Sequence, residues 1–187
     1  MINDGICCIK DITFGPVVVK AVRKTTKLPI DVHLMIKDPD NFTGYTSLQE
    51  NTYVLKAFDE GVVLENTPFY AESGGQVADK GNIQFNDVVY EVLDVQKLPN
   101  GQFLHVLGEH ELTDGDEVFV KVNEEIRNAT MYNHSATHLL FAALREVVGT
   151  HVSQQGSNVS SEAMRFDFNN YDNLSDEILL EVEKIVN

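Results

Sequence analysis

Between Thr52 and Val122 the chain runs as short apolar segments separated by turn residues, and that rhythm leaves few folds open to it. The segments are Gly61 to Glu65, Asn82 to Phe85, Asp87 to Leu98, Gln102 to Leu107 and Glu117 to Val122. Their Val, Ile, Phe and Tyr content suits a pleated surface with one buried face. Pro99-Asn100-Gly101 falls between two of them and signals a hairpin, because Gly tolerates the positive φ that a tight turn demands. Segments joined this way predict a small antiparallel barrel or sandwich.

The texture on either side is different. Pro16, followed by Val17, Val18, Ala21 and Val22, reads as a short helix, and Leu28 to Ile36 reads as a strand. Helix then apolar strand is the rhythm of a parallel α/β sheet. Beyond Arg127 the spacing predicts a helix from Asn133 to Val148 stopped by Gly149, then a hairpin-like stretch from His151 to Phe168. A last helix begins at Ser175, whose hydroxyl can cap it, with Ile178, Val182 and Ile185 as its apolar stripe. It runs into Asn187 with no closing Gly or Pro, as a truncated chain would. The expected fold class is α+β.

At 187 residues and 43% apolar content the chain can bury a sizeable core, helped by 10 Phe and 6 Tyr. No apolar run reaches the ~20 residues needed to span a bilayer, and the N-terminus lacks the order of a secretory signal, so the cytoplasm is the expected compartment and no membrane partner is expected. Cys7 and Cys8 are adjacent, which suits neither a disulfide framework nor a chelating pair, and they read as buried free thiols. A net charge of −15 argues against general nucleic-acid binding. The charge is unevenly spread, with 6 basic and 5 acidic side chains in residues 1–42 against 8 and 24 in residues 43–187.

Two features could carry chemistry. His134 and His138 lie four apart, one helical turn, close enough to hold one metal ion. On a helical projection Ala136, Leu139, Leu140, Ala143, Leu144 and Val147 share one face, and both histidines project from the opposite face beside Phe141 and Arg145. A solvated surface pair satisfies the same geometry. The second feature is Gly74-Gly75-Gln76 after an apolar and aromatic run. Paired glycines let backbone approach a ligand or simply make a turn.

Val63-Leu64-Glu65-Asn66-Thr67-Pro68-Phe69-Tyr70-Ala71-Glu72-Ser73-Gly74-Gly75-Gln76, then Asn133-His134-Ser135-Ala136-Thr137-His138-Leu139-Leu140, then Arg165-Phe166-Asp167-Phe168, together resemble the editing region of alanyl-tRNA synthetase. The resemblance opens at Phe42-Thr43-Gly44-Tyr45 and covers the rest of the chain. It implies a small β-barrel at 43–127 followed by an α/β editing domain, here 128–187. It implies hydrolysis of tRNA(Ala) wrongly charged with serine or glycine, and contact with the 3′ end of that tRNA. It also implies zinc held by His134 and His138 together with a later Cys-x-x-x-His, an editing pocket containing Gln76 with Gly74 and Gly75, and Thr67 as sensor of the seryl hydroxyl. No cysteine follows Cys8, so the zinc site is expected to be incomplete in this chain.

Asp11-Ile12-Thr13-Phe14-Gly15-Pro16 and Thr26-Lys27-Leu28-Pro29-Ile30-Asp31-Val32-His33-Leu34-Met35-Ile36 resemble ribulose-phosphate 3-epimerase, a metal-dependent TIM barrel, with His33 at a metal-ligand position. Residues 1–42 would then be a helix-strand fragment of such a barrel, fused near Asn41 to Gly44. Epimerase activity is not expected, since the barrel needs about 250 residues. The leading expectation is an editing hydrolase fragment impaired by truncation. Its alternative is a folded, non-catalytic remnant or binding module.

Overall fold

A computed structural model of the chain describes residues 41–187 and the backbone of residues 6–9. The helix at Pro16, the strand at Leu28 to Ile36, His33 and the TIM-barrel fragment as a whole fall outside the described residues, as do the side chains of Cys7 and Cys8. Among the described residues no helix is long and apolar enough to cross a membrane. The described residues divide into two units, 41–73 with 77–127, and 6–9 with 74–76 and 128–187.

The first unit is an antiparallel sheet. Its strands are β3 (Gln49–Phe58), β4 (Gly61–Leu64), β6 (Gly81–Phe85), β7 (Val88–Val92), β8 (Asp94–Lys97), β9 (Phe103–Val106) and β10 (Glu117–Val122), in the order β7-β6-β10-β3-β4-β9-β8. The two edge strands, β7 and β8, are separated in sequence only by Leu93, so the ends of the sheet are drawn together into a nearly closed barrel. Two further short strands, β2 (Asn41–Phe42) and β5 (Asn66–Thr67), pair in parallel.

Alternation fills the interior. Val118, Val120 and Val122 of β10 point inward, as do Val54 of β3 and Ile83 of β6, around a core that includes Val62, Leu64, Phe69 and Val92. β4 is buried at every position, because its other side packs Val63 against Leu98 and Leu104. The expected hairpin at Pro99-Asn100-Gly101 is present: β8 and β9 pair across it, Leu98 N–H donates to Gln102 O at 2.7 Å, and Gly101 has φ 91°. The run from Asp87 to Leu98 is two strands, broken at Leu93.

The second unit is built on α1 (Glu124–Val147), whose first turn lies in the barrel unit, with β11 (Gln154–Val159), β12 (Met164–Asn169) and α2 (Asp176–Val186). β11 and β12 form an antiparallel hairpin, and β1 (Ile6–Ile9) pairs antiparallel on the outer edge of β12. Phe166 and Phe168 alternate inward from β12 and meet Leu140, Ala143 and Leu144 of α1 and Val182 of α2. Ser175 caps α2 as expected, accepting from Ile178 N–H. The stripe of α2 is Ile178, Val182 and Val186 rather than Ile185, which is exposed, because positions four apart stack on one face while Ile185 lies a step round the helix.

Candidate functional site

Gly74 and Gly75 have φ of 61° and 85°, a left-handed pair that side-chain-bearing residues resist. A Cβ on Gly75 would also run into the Ser157 carbonyl. The close approach lets Gly75 O accept from Val159 N–H at 2.7 Å, and Gln76 then bridges in parallel to Val159. Gln76 is only 7% exposed, and its side chain has a definite target. Its Oε1 lies 2.6 Å from His134 Nδ1, 58 residues away in sequence. A carbonyl oxygen only accepts, so Nδ1 carries a proton, and in the neutral ring Nε2 keeps a lone pair.

His138 lies one turn further along α1, exposed, with its ring 5.0 Å from that of His134. Two motifs distant in the chain thus meet at one place: Gly74, Gly75, Gln76, His134 and His138 all belong to the second unit. His151 does not join them; its Nε2 contacts Asn170 Oδ1 at 2.9 Å and its ring stacks on Tyr171. Among the described residues no group of three or more His, Cys, Asp or Glu is arranged to hold a metal ion.

The helix presents its faces differently from the projection. Leu140, Ala143 and Leu144 are buried, but Leu139 is 55% exposed while Thr137 is 8% exposed. Thr137 tolerates burial because its hydroxyl donates to Asn133 O at 2.8 Å within the helix. Phe141, expected beside the histidines, packs into the core against Phe166 and carries Arg145 over its ring. Asn133 donates from Nδ2 to Ser160 O at 2.8 Å, tying α1 to the end of β11.

Thr67 belongs to the barrel unit and is fully buried. Its hydroxyl oxygen lies 2.7 Å from His105 Nε2 and accepts from Phe69 N–H at 3.1 Å. His105 is buried on β9, with Nδ1 3.2 Å from Val62 O. Burial pushes its pKa down to about 4, against a partial lift from the Val62 and Phe103 backbone. Pro68, the residue after Thr67, accepts at its carbonyl from Arg127 at 2.7 Å; Arg127 also donates to Gly44 O at 2.9 Å, and its guanidinium forms a buried ion pair with Asp79. Asp79 Oδ2 in turn accepts from Tyr70 N–H at 2.7 Å. The segment from Thr67 to Tyr70 is therefore held at each end by buried polar groups. Sequence reasoning passed over His105, Asp79 and Arg127; the one available signal was a His set between the apolar Leu104 and Val106 of a strand.

Comparison with known proteins decides the family. The family described as tRNA synthetases class II (A) matches residues 20–126, more than half of the chain. The chain belongs to that family. An alanine–tRNA ligase of Acholeplasma laidlawii is 51% identical over 148 residues, 79% of this chain and 17% of that protein. The ligase of Caldicellulosiruptor saccharolyticus is 44% identical over 174 residues, 84% of this chain and 20% of the ligase. That of Pseudomonas savastanoi pv. phaseolicola is 40% identical over 182 residues, 88% of this chain and 21% of the ligase. The chain thus spans about a fifth of the length of these relatives. The last match is longer than residues 43–187 alone can supply, and the family match runs through Asn41 to Gly44 from residue 20. Synthetase sequence therefore extends into the segment that resembled an epimerase, and that resemblance receives no support.

Proposed function

We propose that the segment is the editing portion of an alanine–tRNA ligase, acting on the ester of tRNA(Ala) that carries serine or glycine. The observation that carries the reading is the contact of Gln76 with His134, which brings the glycine loop and the histidine pair into one site across 58 residues. An editing site is needed where a synthetic pocket rejects a near-isostere too weakly. In the proposed site Gly74 and Gly75 let backbone come close to the substrate and Gln76 orients His134; Thr67, assigned by resemblance to sense the seryl hydroxyl, is fully buried in the barrel unit with its hydroxyl engaged by His105 and Phe69 N–H. The 3′ end of the tRNA is the expected partner. The −15 charge limits it to local contacts rather than a broad basic surface.

Zinc fits this site in part. His134 offers Nε2 because Nδ1 is taken by Gln76, and His138 stands one turn away, so the pair can supply two ligands. A bound zinc ion would polarise the ester or hold the substrate's amino group. The chain's described residues add no third donor, so the pair alone is expected to bind zinc weakly. The same shortage favours a second reading, a folded module with no turnover of its own.

A deacylation time course on seryl-tRNA(Ala) with added zinc separates the two. The editing reading expects slow hydrolysis above the buffer rate, lost on Gln76→Ala and on His134→Ala. Rates equal to buffer for all three proteins support the non-catalytic reading instead.

A further inference from the structure

Two consecutive residues at the end of β11 hold both halves of the histidine site. Val159 N–H donates to Gly75 O at 2.7 Å and so fixes the glycine loop that carries Gln76. Ser160 O accepts from Asn133 Nδ2 at 2.8 Å and so fixes α1 one residue before His134. A carbonyl only accepts, so the amide nitrogen of Asn133 is the atom that faces Ser160. Ser160 is itself held in place: its N–H and its hydroxyl each donate to Ala163 O at 3.0 Å, and its hydroxyl oxygen accepts from Ala163 N–H at 3.2 Å. The ring of contacts closes where Gln76 Oε1 meets His134 Nδ1 at 2.6 Å, and every member of it belongs to the second unit. The apolar face of α1 packs on Phe166 without directional preference, whereas the Asn133 bond sets both distance and direction.

We propose that Asn133 is a positioning residue for His134: its bond to Ser160 sets α1 so that Gln76 holds the His134 proton on Nδ1 and leaves the Nε2 lone pair for a ligand. The inference rests on the reading of Gln76 and His134 as the working site, and it concerns how that pair is set rather than what it acts on. Which imidazole nitrogen carries the proton follows from the hydrogen bond the ring makes. A neutral imidazole without a partner carries its proton mostly on Nε2, so loss of the anchor reverses the tautomer.

The test is nitrogen NMR of His134 in the full chain, at a pH high enough to keep the ring neutral. The unmutated protein should show Nδ1 protonated and Nε2 bare. Asn133→Leu keeps the side-chain volume, cannot donate and favours the helix, so the melting midpoint should hold while the proton moves mostly to Nε2. Asn133→Gln, which still carries an amide donor, should return it to Nδ1. A purely structural role would instead lower the midpoint and leave the tautomer alone. In the unmutated protein a weak coupling across the hydrogen bond, from Asn133 Nδ2 to the Ser160 carbonyl carbon, reads the anchor with no substitution at all. A folded Asn133→Leu with its proton still on Nδ1, an Asn133→Gln that behaves like Asn133→Leu, or the absence of that coupling overturns the inference and leaves the editing reading standing. A His134 protonated on Nε2 in the unmutated protein removes the Gln76 contact itself, and with it both the inference and the observation behind the editing reading.

Discussion

The barrel and the helix–hairpin unit use polar side chains in opposite ways. In the barrel, Arg127, Asp79, Thr67 and His105 are buried and their polar atoms are committed to neighbours in the same unit. In the other unit Gln76 is buried but grips only one nitrogen of His134, and His138 is exposed. A satisfied, desolvated network rigidifies the chain around it, whereas an imidazole with a free lone pair near solvent is available for chemistry. The contrast teaches that burial of a polar group marks support as often as it marks a site. It also makes the two regions respond differently to mutation.

The largest difference should come from Arg127→Met. Removing the guanidinium leaves the Asp79 carboxylate and two carbonyls buried without partners, a loss of about 3–5 kcal/mol. Thermal unfolding should fall by roughly 10 °C. A fall of no more than about 2 °C would show that the barrel does not depend on this pair.

Acid should separate the regions next. The unfolded chain takes up the His105 proton near 6.5 and the folded chain only near about 4, so the neutral, folded form gains nothing from acid. Stability tied to His105 is complete above pH 6.5 and is lost as pH falls towards about 4, by about 3 kcal/mol in all. Denaturant unfolding at pH 7 and pH 4.5 (about these values) should show this loss in the unmutated protein and less of it in His105→Gln. Equal acid sensitivity in both would place the loss elsewhere.

Gln76→Ala should behave in the opposite manner, costing about 1 kcal/mol or less in stability while weakening zinc binding by about tenfold. Equilibrium dialysis and thermal unfolding on the same samples give both quantities. A large stability loss with unchanged zinc affinity would make Gln76 a support residue like those of the barrel. The smallest effect is expected from removing residues 1–40, which takes β1 off β12. Amide exchange should quicken in Met164–Asn169 and stay unchanged in β3 and β10. Faster exchange throughout would mean that the two regions do not respond separately.

Much of the barrel was legible because its inward positions alternate: Val118, Val120 and Val122 stand out in any reading of β10. β3, the longest strand, was not. Its outward residues include Tyr53 and Leu55, both exposed, which erases the alternation between apolar and polar positions. The start of α1 at Glu124 was missed because Glu124 to Asn128 carry four polar residues, and the helix is set there by Asn123 Oδ1 accepting from Ile126 N–H. At the candidate site, His134 and His138 declared themselves by spacing and Gln76 by resemblance. Their meeting did not, because it depends on the bridge of Gln76 to Val159, a pairing no local pattern encodes. His105 and Arg127 were hidden for the same reason, since their partners lie 38 to 83 residues away.

The most direct test is a zinc titration of the full chain followed by nitrogen NMR of its imidazoles, with Gln76→Ala run beside it. The expected result is a weak, saturable shift of His134 and His138 at Nε2, an unmoved His105, and a weaker response in the variant. Zinc that shifts His105 equally, or leaves His134 and His138 unchanged, would contradict the division between a supporting barrel and an open histidine site.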